Sequence, residues 1–262
     1  METRHGSQEP SKAATGVVLI TGANSGLGLE FAKQYASAKW IVYAVHRHAK
    51  TPEALAEACA RSPSIHAERM DVSKSREVTR LARKLQDVPI DVLINNAGIA
   101  YDKNLSLDTQ SFGRLDYDLG EMIFAVNVRG ALMVTEAFMS HLKASKQKKV
   151  ICMSSATASL TQSLPGAGGI FYRASKAALN RAMISVAAAV KEHGVSVVLI
   201  HPGAVLTERN LEFSKRHART HGRYPNMIGT RFSVSQMIQT ISRLSITDSG
   251  RFLNYDGTTA AW

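Results

Sequence analysis

A serine pair, a tyrosine and a lysine are the residues in this chain whose types and spacing suggest chemistry. Ser154 and Ser155 follow the apolar run VICM at 150–153, and Tyr172 and Lys176 lie in FYRASKAALN at 171–180. Residues four apart share one face of a helix, so Tyr172 and Lys176 would be neighbours. A phenol with a pKa near ~10 is a slow acid at neutral pH. A nearby ammonium favours the phenolate and lowers that pKa. Such a tyrosine can give its proton to a carbonyl oxygen as hydride reaches the carbon, and a serine hydroxyl can hold the same oxygen. The pair alone occurs often by chance. It gains weight only from the elements that must position it.

Those elements alternate. Short β-branched runs recur at 17–20, 41–45, 92–94, 150–153 and 195–200, and between them lie helical stretches at 25–37, 50–60, 74–86, 117–143 and 172–193. Apolar runs without strict alternation suit strands covered on both faces. Strands alternating with helices predict βαβ units and a parallel sheet, an α/β doubly wound fold. The least regular segments are 99–116, 156–171 and 203–232. Ligands of such sheets lie beyond the carboxyl ends of the strands, where these segments are expected.

Between the first strand and the first helix the chain reads TGANSGLG, with Gly22, Gly26 and Gly28. Glycine permits a tight turn and a close backbone approach, and a helix amino end offers free N–H groups to a pyrophosphate. Asn24, Ser25 and Leu27 belong to the same loop. The spacing G-x-x-x-G-x-G differs from the commoner dinucleotide fingerprint. The second strand ends AVHRH, 44–48, with no carboxylate to hold an adenosine ribose. Arg47 there could pair with a 2′-phosphate, which favours NADP(H) over NAD(H), or could simply lie on the surface. Asp71, followed by Val72, ends the third strand; it could accept from an adenine amino group or cap a helix starting near Ser73. NNAG at 95–98 sits at a strand end as a turn with its backbone toward the cofactor. Asn127, inside AVNVRG, is a poor residue for a helix interior. It marks either a local distortion around an ordered water or a satisfied buried amide.

Composition bounds the rest. The chain has 262 residues with a formal charge of +11, 45% hydrophobic residues and two cysteines. The length favours one domain with a substantial core, read as a flexible leader over 1–15 and a domain over 16–262. Cys59 and Cys152 have no metal-ligand spacing and read as reduced thiols, and no metal is expected. The polar leader carries no signal-type apolar block, and no run is long enough to span a membrane, so a cytoplasmic protein is expected. Basic residues cluster at Lys143, Lys146, Lys148 and Lys149, and again at Arg209, Lys215, Arg216, Arg219, Arg223 and Arg231. Neither cluster is interleaved with aromatics in the manner of a nucleic-acid site. They read as solvated basic surface; a second reading of the 203–232 segment is a basic lid that favours acidic substrates.

TGANSGLG, NNAG, the asparagine of AVNVRG, the serine after VICMS, YRASK and HPGAVLT follow one another as in the short-chain dehydrogenase/reductase family. The chain resembles that family over essentially everything after residue 16, and resembles its small carbonyl reductases and C-factor-like proteins in the ending FLNYDGTTAAW. The resemblance implies a single Rossmann domain with a parallel sheet of about seven strands flanked by helices. It implies Tyr172 as catalytic acid/base, Lys176 lowering its pKa and binding the nicotinamide ribose, Ser155 positioning the carbonyl, and Asn127 holding a water of a proton relay. Asn95, Ala97 and Gly98 would lie along the adenosine side, with Pro202, Gly203, Val205 and Thr207 near the nicotinamide, and the glycine loop would take the pyrophosphate. The interval from Ser155 to Tyr172 is longer than is usual in the family, with the glycine-rich PGAGGIF at 165–171. A homodimer or homotetramer through the helices at 117–143 and 172–193 is also implied. The expected activity is NADP(H)-dependent reduction of an aldehyde, ketone or quinone. The alternative is a signalling or sensor protein that binds NADP(H) with little turnover.

Overall fold

The structure, a computed structural model, describes residues 15–100, 107–162, 168–207 and 227–262. Seven parallel strands form one sheet: β1 (Val17–Thr21), β2 (Ile41–His46), β3 (Ile65–Arg69), β4 (Val92–Asn95), β5 (Lys149–Met153), β6 (Ser196–His201) and β9 (Phe252–Asn254). Their order is β3-β2-β1-β4-β5-β6-β9. Two further short strands, β7 (Val205–Leu206) and β8 (Ile228–Gly229), pair with each other alone.

Alternate strand residues feed two cores. Leu19, Leu93, Val150, Cys152, Val197 and Leu199 face one layer. It is built by α3 (Ser75–Lys84), α5 (Ala131–Ala137), α6 (Met139–Ala144) and α7 (Ile170–Val190). Val18, Ile20, Val92, Ile94, Ile151 and Ile200 face the other, built by α1 (Gly26–Ser37), α2 (Glu53–Arg61) and α8 (Thr230–Arg243). Coverage on both faces explains why these strands read as continuous apolar runs. The strand order reverses between β1 and β4, which leaves a crevice beyond their carboxyl ends.

The structure revises several expected boundaries. The helical stretch at 117–143 is not one α-helix. It runs as α4 (Tyr117–Phe124), a π-helical turn at Ala125–Gly130, α5 and α6, with Asn127 in the π turn. β3 ends at Arg69, before Asp71, and α3 begins at Ser75 with Lys74 in its N-cap position. Asp71 therefore does not cap α3. Its Oδ1 accepts from the Ser73 amide at 2.9 Å and the Ser73 hydroxyl at 2.7 Å, closing a local turn.

The lysine cluster at 143–149 is not all solvated surface either. Lys149 is buried and its Nζ donates to the carbonyls of Ile241 (2.8 Å) and Ser242 (3.3 Å). It thereby adds a donor to carbonyls in the last turn of α8, where the Ile241 carbonyl also accepts from the Leu244 amide at 3.3 Å, and burial lowers its pKa. In the second cluster Arg231 lies on α8, whereas Arg209, Lys215, Arg216, Arg219 and Arg223 fall outside the described residues. Among the described residues no helix is long and apolar enough to cross a membrane, and no three His, Cys, Asp or Glu side chains gather to hold a metal ion.

Candidate active site

The glycine turn is built as much by contacts with the chain itself as by room for a ligand. Gly22 has φ +67° and Gly26 φ +54°, a left-handed region that favours glycine. A Cβ on Gly28 would lie 2.3 Å from the Gly22 carbonyl oxygen and 2.5 Å from Asn96 Nδ2, and one on Gly22 would lie 2.9 Å from Ala97 Cα. Two of the three glycines thus let the β1 turn, the start of α1 and the NNAG turn after β4 nest together. Asn96 fastens them. Its Nδ2 donates to the Thr21 carbonyl (2.8 Å) and the Gly22 carbonyl (3.1 Å). Thr21 Oγ1 accepts from the amides of Asn96 and Ala97, both at 3.0 Å.

Gly26 is different, because a Cβ there would make only ordinary contact with the Thr207 side chain, at 3.6 Å from Cγ2. Ser25 makes no side-chain cap to α1, and the first turn holds no acidic residue. The amides at the start of α1 are therefore a suitable anion cradle, with the positive end of the helix dipole behind them. Asn24 Nδ2 donates to Ser25 Oγ at 3.2 Å. Leu27 packs against the α1-side core. Thr207, from the segment after β6, brings the second wall over this turn. Upstream of it, Gly203 has φ +83°, and a Cβ there would meet Ile228 Cδ1 at 2.8 Å and the Tyr255 ring at 3.1 Å. Val205 is buried, and Pro202 offers its carbonyl to Ser233 Oγ at 2.6 Å.

Beyond the carboxyl ends of β2 and β3, Arg47 and Asp71 line one cavity of about 460 Å³ with Lys74, Val126 and Arg129, and with the acidic Asp118 and Glu121. Val72 is buried and in contact range of Gly130, where a Cβ would stand 2.9 Å from Val72 Cγ2. Asn95 turns away from the crevice. Its Nδ2 donates to Thr135 Oγ1 at 2.9 Å inside the core, so any approach of Asn95 to a nucleotide is by backbone.

At the other end, Lys176 is 5% exposed and its Nζ donates to the Met153 carbonyl at 2.8 Å. The same ammonium lies 5.9 Å from the centre of the Tyr172 ring. Burial lowers the Lys176 pKa to about 8, with Cys152 pulling weakly the other way. One of three ammonium donors is used by Met153, which leaves donors for ribose hydroxyls. A Cβ on Gly98 would sit 3.5 Å from Lys176 Nζ and 3.3 Å from Asn127 Oδ1, so this glycine keeps a gap between the two. The Asn127 amide is satisfied. Oδ1 accepts from the Ile99 amide (2.8 Å), and Nδ2 donates to the Ile99 carbonyl (2.8 Å) and to Ser175 Oγ (3.0 Å). A π turn and a satisfied buried amide thus occur together at Asn127. π turns are frequent at functional sites.

The two serines separate as strand residues do. Ser154 is buried, and its hydroxyl donates to Asn180 Oδ1 at 2.5 Å. Ser155 Oγ instead accepts from the Thr157 amide (3.2 Å) and hydroxyl (2.9 Å), neither of which uses the serine's own O–H. Its loop is clasped from the far end of the chain. The Trp262 carbonyl accepts from Ser159 Oγ, Thr161 N and Thr161 Oγ1 at 2.7, 2.8 and 2.5 Å. No local pattern marks the roles of Trp262, Thr21 and Gln110, because Ser159 and Thr161, Asn96 and Ala97, and Tyr172, which bond to them, lie far along the chain. His201, at the end of β6, is held neutral by burial, its pKa pulled down to about 4.

A parallel sheet with a glycine turn at its switch point and a Tyr–Lys helix beyond β5 defines an oxidoreductase of Rossmann type. The short chain dehydrogenase family model matches residues 16–218, and the chain belongs to that family. It is 29% identical over 260 residues to an uncharacterized oxidoreductase of Schizosaccharomyces pombe, covering 93% of this chain and 96% of that protein. It is 34% identical over 174 residues to the C-signal protein of Myxococcus xanthus, covering 66% of this chain and 93% of that one. The NADPH-bound carbonyl reductase from chicken fatty liver superposes with a TM-score of 0.79 at 27% identity, covering 95% of this chain and all of that one (100%).

Proposed function

We propose that this short-chain dehydrogenase reduces a small carbonyl compound, an aldehyde, ketone or quinone, with NADPH. The observation that carries the reading is the buried Lys176 ammonium 5.9 Å from the Tyr172 ring, beyond an uncapped helix start that suits a pyrophosphate. A bound nicotinamide supplies the hydride. Tyr172 gives the proton to the carbonyl oxygen, and Lys176 favours the phenolate that remains. Ser155 donates its O–H to the same oxygen. Asn127 holds the Ile99 backbone and Ser175 in register beside them. Arg47, at the end of β2 with no carboxylate in AVHRH, selects the 2′-phosphate. The relation to a carbonyl reductase bound to NADPH supports the same choice.

The test is the initial rate of NADPH oxidation over a panel of aldehydes, ketones and quinones, with NADH as control and Tyr172→Phe in parallel. Turnover that prefers NADPH and falls about 10²-fold or more in Tyr172→Phe is expected. NADPH binding without Tyr172-dependent turnover on any compound would overturn the reading in favour of a protein that uses the nucleotide as a ligand.

A further inference from the structure

Helix α7 carries Tyr172 and Lys176, yet it starts without a side-chain cap. Its N-cap residue is Gly169, in the left-handed conformation, and Tyr172 is the third helical residue. The amide of that residue is one of the orphan donors that an N-cap side chain ordinarily satisfies. Here a residue remote in sequence takes the role. Gln110, on the short 3-10 helix Leu107–Gln110, is 4% exposed, and its Oε1 accepts from the Tyr172 amide at 3.0 Å. Its Nε2 donates to the Ala100 carbonyl at 2.5 Å.

Ala100 follows Ile99, which Asn127 grips through both backbone groups. Asn127 Nδ2 donates to Ser175 Oγ, and Ser175 Oγ donates to the Tyr172 carbonyl at 2.7 Å. The bonds close a ring that begins at the amide of Tyr172 and ends at its carbonyl. It passes through Gln110, the chain after β4, Asn127 and Ser175. Both peptide groups of the proposed proton donor are thus tied to the segment that follows NNAG.

We infer that Gln110 is a positioning residue for Tyr172: it caps the tyrosine's amide from outside the helix and ties it to the loop held by Asn127. This rests on Tyr172 being the proton donor. The ring sets where the phenol stands relative to the carbonyl and the hydride, and reacting groups misplaced by about 1 Å can lose about 10²-fold in rate. Gln110 itself touches no reacting atom.

The amide pattern of Gln110 suggests variants that separate its two bonds. Gln110→Ala removes both. In Gln110→Glu the neutral acid can still accept from Tyr172 and donate to Ala100, whereas the ionised form cannot donate and puts charge against the Ala100 carbonyl. Tyr172, Arg173 and Lys176 on α7, Arg114 and Asp116 beside the 3-10 helix, carry charge or titrate nearby. Parent and variants share these groups, and Gln110→Ala, which adds no charge, separates the loss of the two bonds from any effect of the new carboxylate on them.

Amide hydrogen exchange of peptides spanning 170–176 should show the Tyr172 amide exchanging at least about tenfold faster in Gln110→Ala than in the parent. kcat should fall about tenfold or more, with NADPH affinity within about twofold of the parent. For Gln110→Glu, position 110 is buried, which raises the pKa of a carboxyl placed there, so the parent-to-variant ratio of kcat should be smallest near about pH 5 and grow toward about pH 8 as the acid ionises. Unchanged exchange at Tyr172, a kcat in Gln110→Ala within about twofold of the parent, or a flat ratio in Gln110→Glu overturns the inference. If Gln110→Ala does not fold, the Gln110→Glu exchange and pH comparison decides alone. If the parent turns over no carbonyl, the reductase reading fails, while the exchange comparison still tests the Gln110 bond.

Discussion

Lys176 Nζ stands 2.8 Å from the carbonyl oxygen of Met153, the last residue of β5. The bond fixes an ammonium in a buried position, and burial lowers its pKa to about 8 from the model-compound value of 10.5. Between those values the unfolded chain binds the proton that the folded protein has shed. The unfolded state therefore holds more protons in that window, and the Lys176 contribution to stability rises with pH from about 8 to 10.5. Lys176→Met removes the titration. Thermal melts should find the variant gaining most relative to the parent at neutral pH and losing that advantage toward pH 10. Parallel pH curves for the two proteins would refute the assignment. Turnover of Lys176→Met should fall about 10²-fold or more, since the phenolate of Tyr172 loses its cation.

Arg47 carries the cofactor prediction. It is exposed at the end of β2 and lines the cavity it shares with Asp71 and Lys74. A charge-assisted pair with a 2′-phosphate is worth about 1.5–3 kcal/mol. Arg47→Glu should raise the KM for NADPH about tenfold to a hundredfold and leave the KM for NADH unchanged or lower. Steady-state kinetics with the two cofactors at one fixed carbonyl reads the ratio. Equal effects on both would place the phosphate elsewhere.

Gly28 tests the packing of the nucleotide turn. A Cβ there would lie 2.3 Å from a backbone carbonyl, an overlap that no side-chain rotation relieves. Alanine would gain about 1 kcal/mol of helix propensity over glycine, but forced overpacking costs about 1–3 kcal/mol. Gly28→Ala should lower Tm by several degrees and weaken NADPH binding together, read by melts with and without the nucleotide. Gly229→Ala, where an added Cβ meets nothing within 4 Å, is the control and should change stability by less than about 0.5 kcal/mol.

The sheet was legible where strands are covered on both faces, because β1, β2, β4, β5 and β6 each hold an unbroken apolar run: VVLI, IVYAV, VLI, VICM and VVLI. β3 is the edge strand IHAER, largely polar, and β9 is three residues long, so neither makes a run that stands out. The break in the stretch at 117–143 left no trace in periodicity, since a π turn adds a residue without interrupting the apolar content. Asn127 was the one residue there whose type signalled it. The nearness of Lys176 to Tyr172 and the separation of Ser155 from Ser154 were legible because helix spacing and strand alternation are local rules. Asn96, Gln110 and Lys149 could not be placed, because each acts on backbone groups brought close only by the fold. Lys149 illustrates the risk, since a lysine in a basic run reads as surface until the end of α8 is seen above it.

Trp262 offers a prediction for the substrate side. Three donors from Ser159 and Thr161 converge on its carbonyl, and its ring lies 5.4 Å from that of Phe252 in β9. The clasp holds the loop that leaves Ser155, so the sheet's edge strand and the proposed carbonyl-binding serine are coupled through one residue. Trp262→Ala keeps the carbonyl but loses the ring that fixes it. Ser159→Ala with Thr161→Val keeps the ring but removes the side-chain donors. Each should loosen the loop by about 1–1.5 kcal/mol, the value of a hydrogen bond or two. That corresponds to a rise of about fivefold to tenfold in KM for the carbonyl, with NADPH affinity unchanged. Because both act through one clasp, their combination should cost less than the sum of the separate effects. Additive losses, or a fall in NADPH affinity that tracks the rise in KM, would show that Trp262 supports the domain as a whole rather than the serine loop.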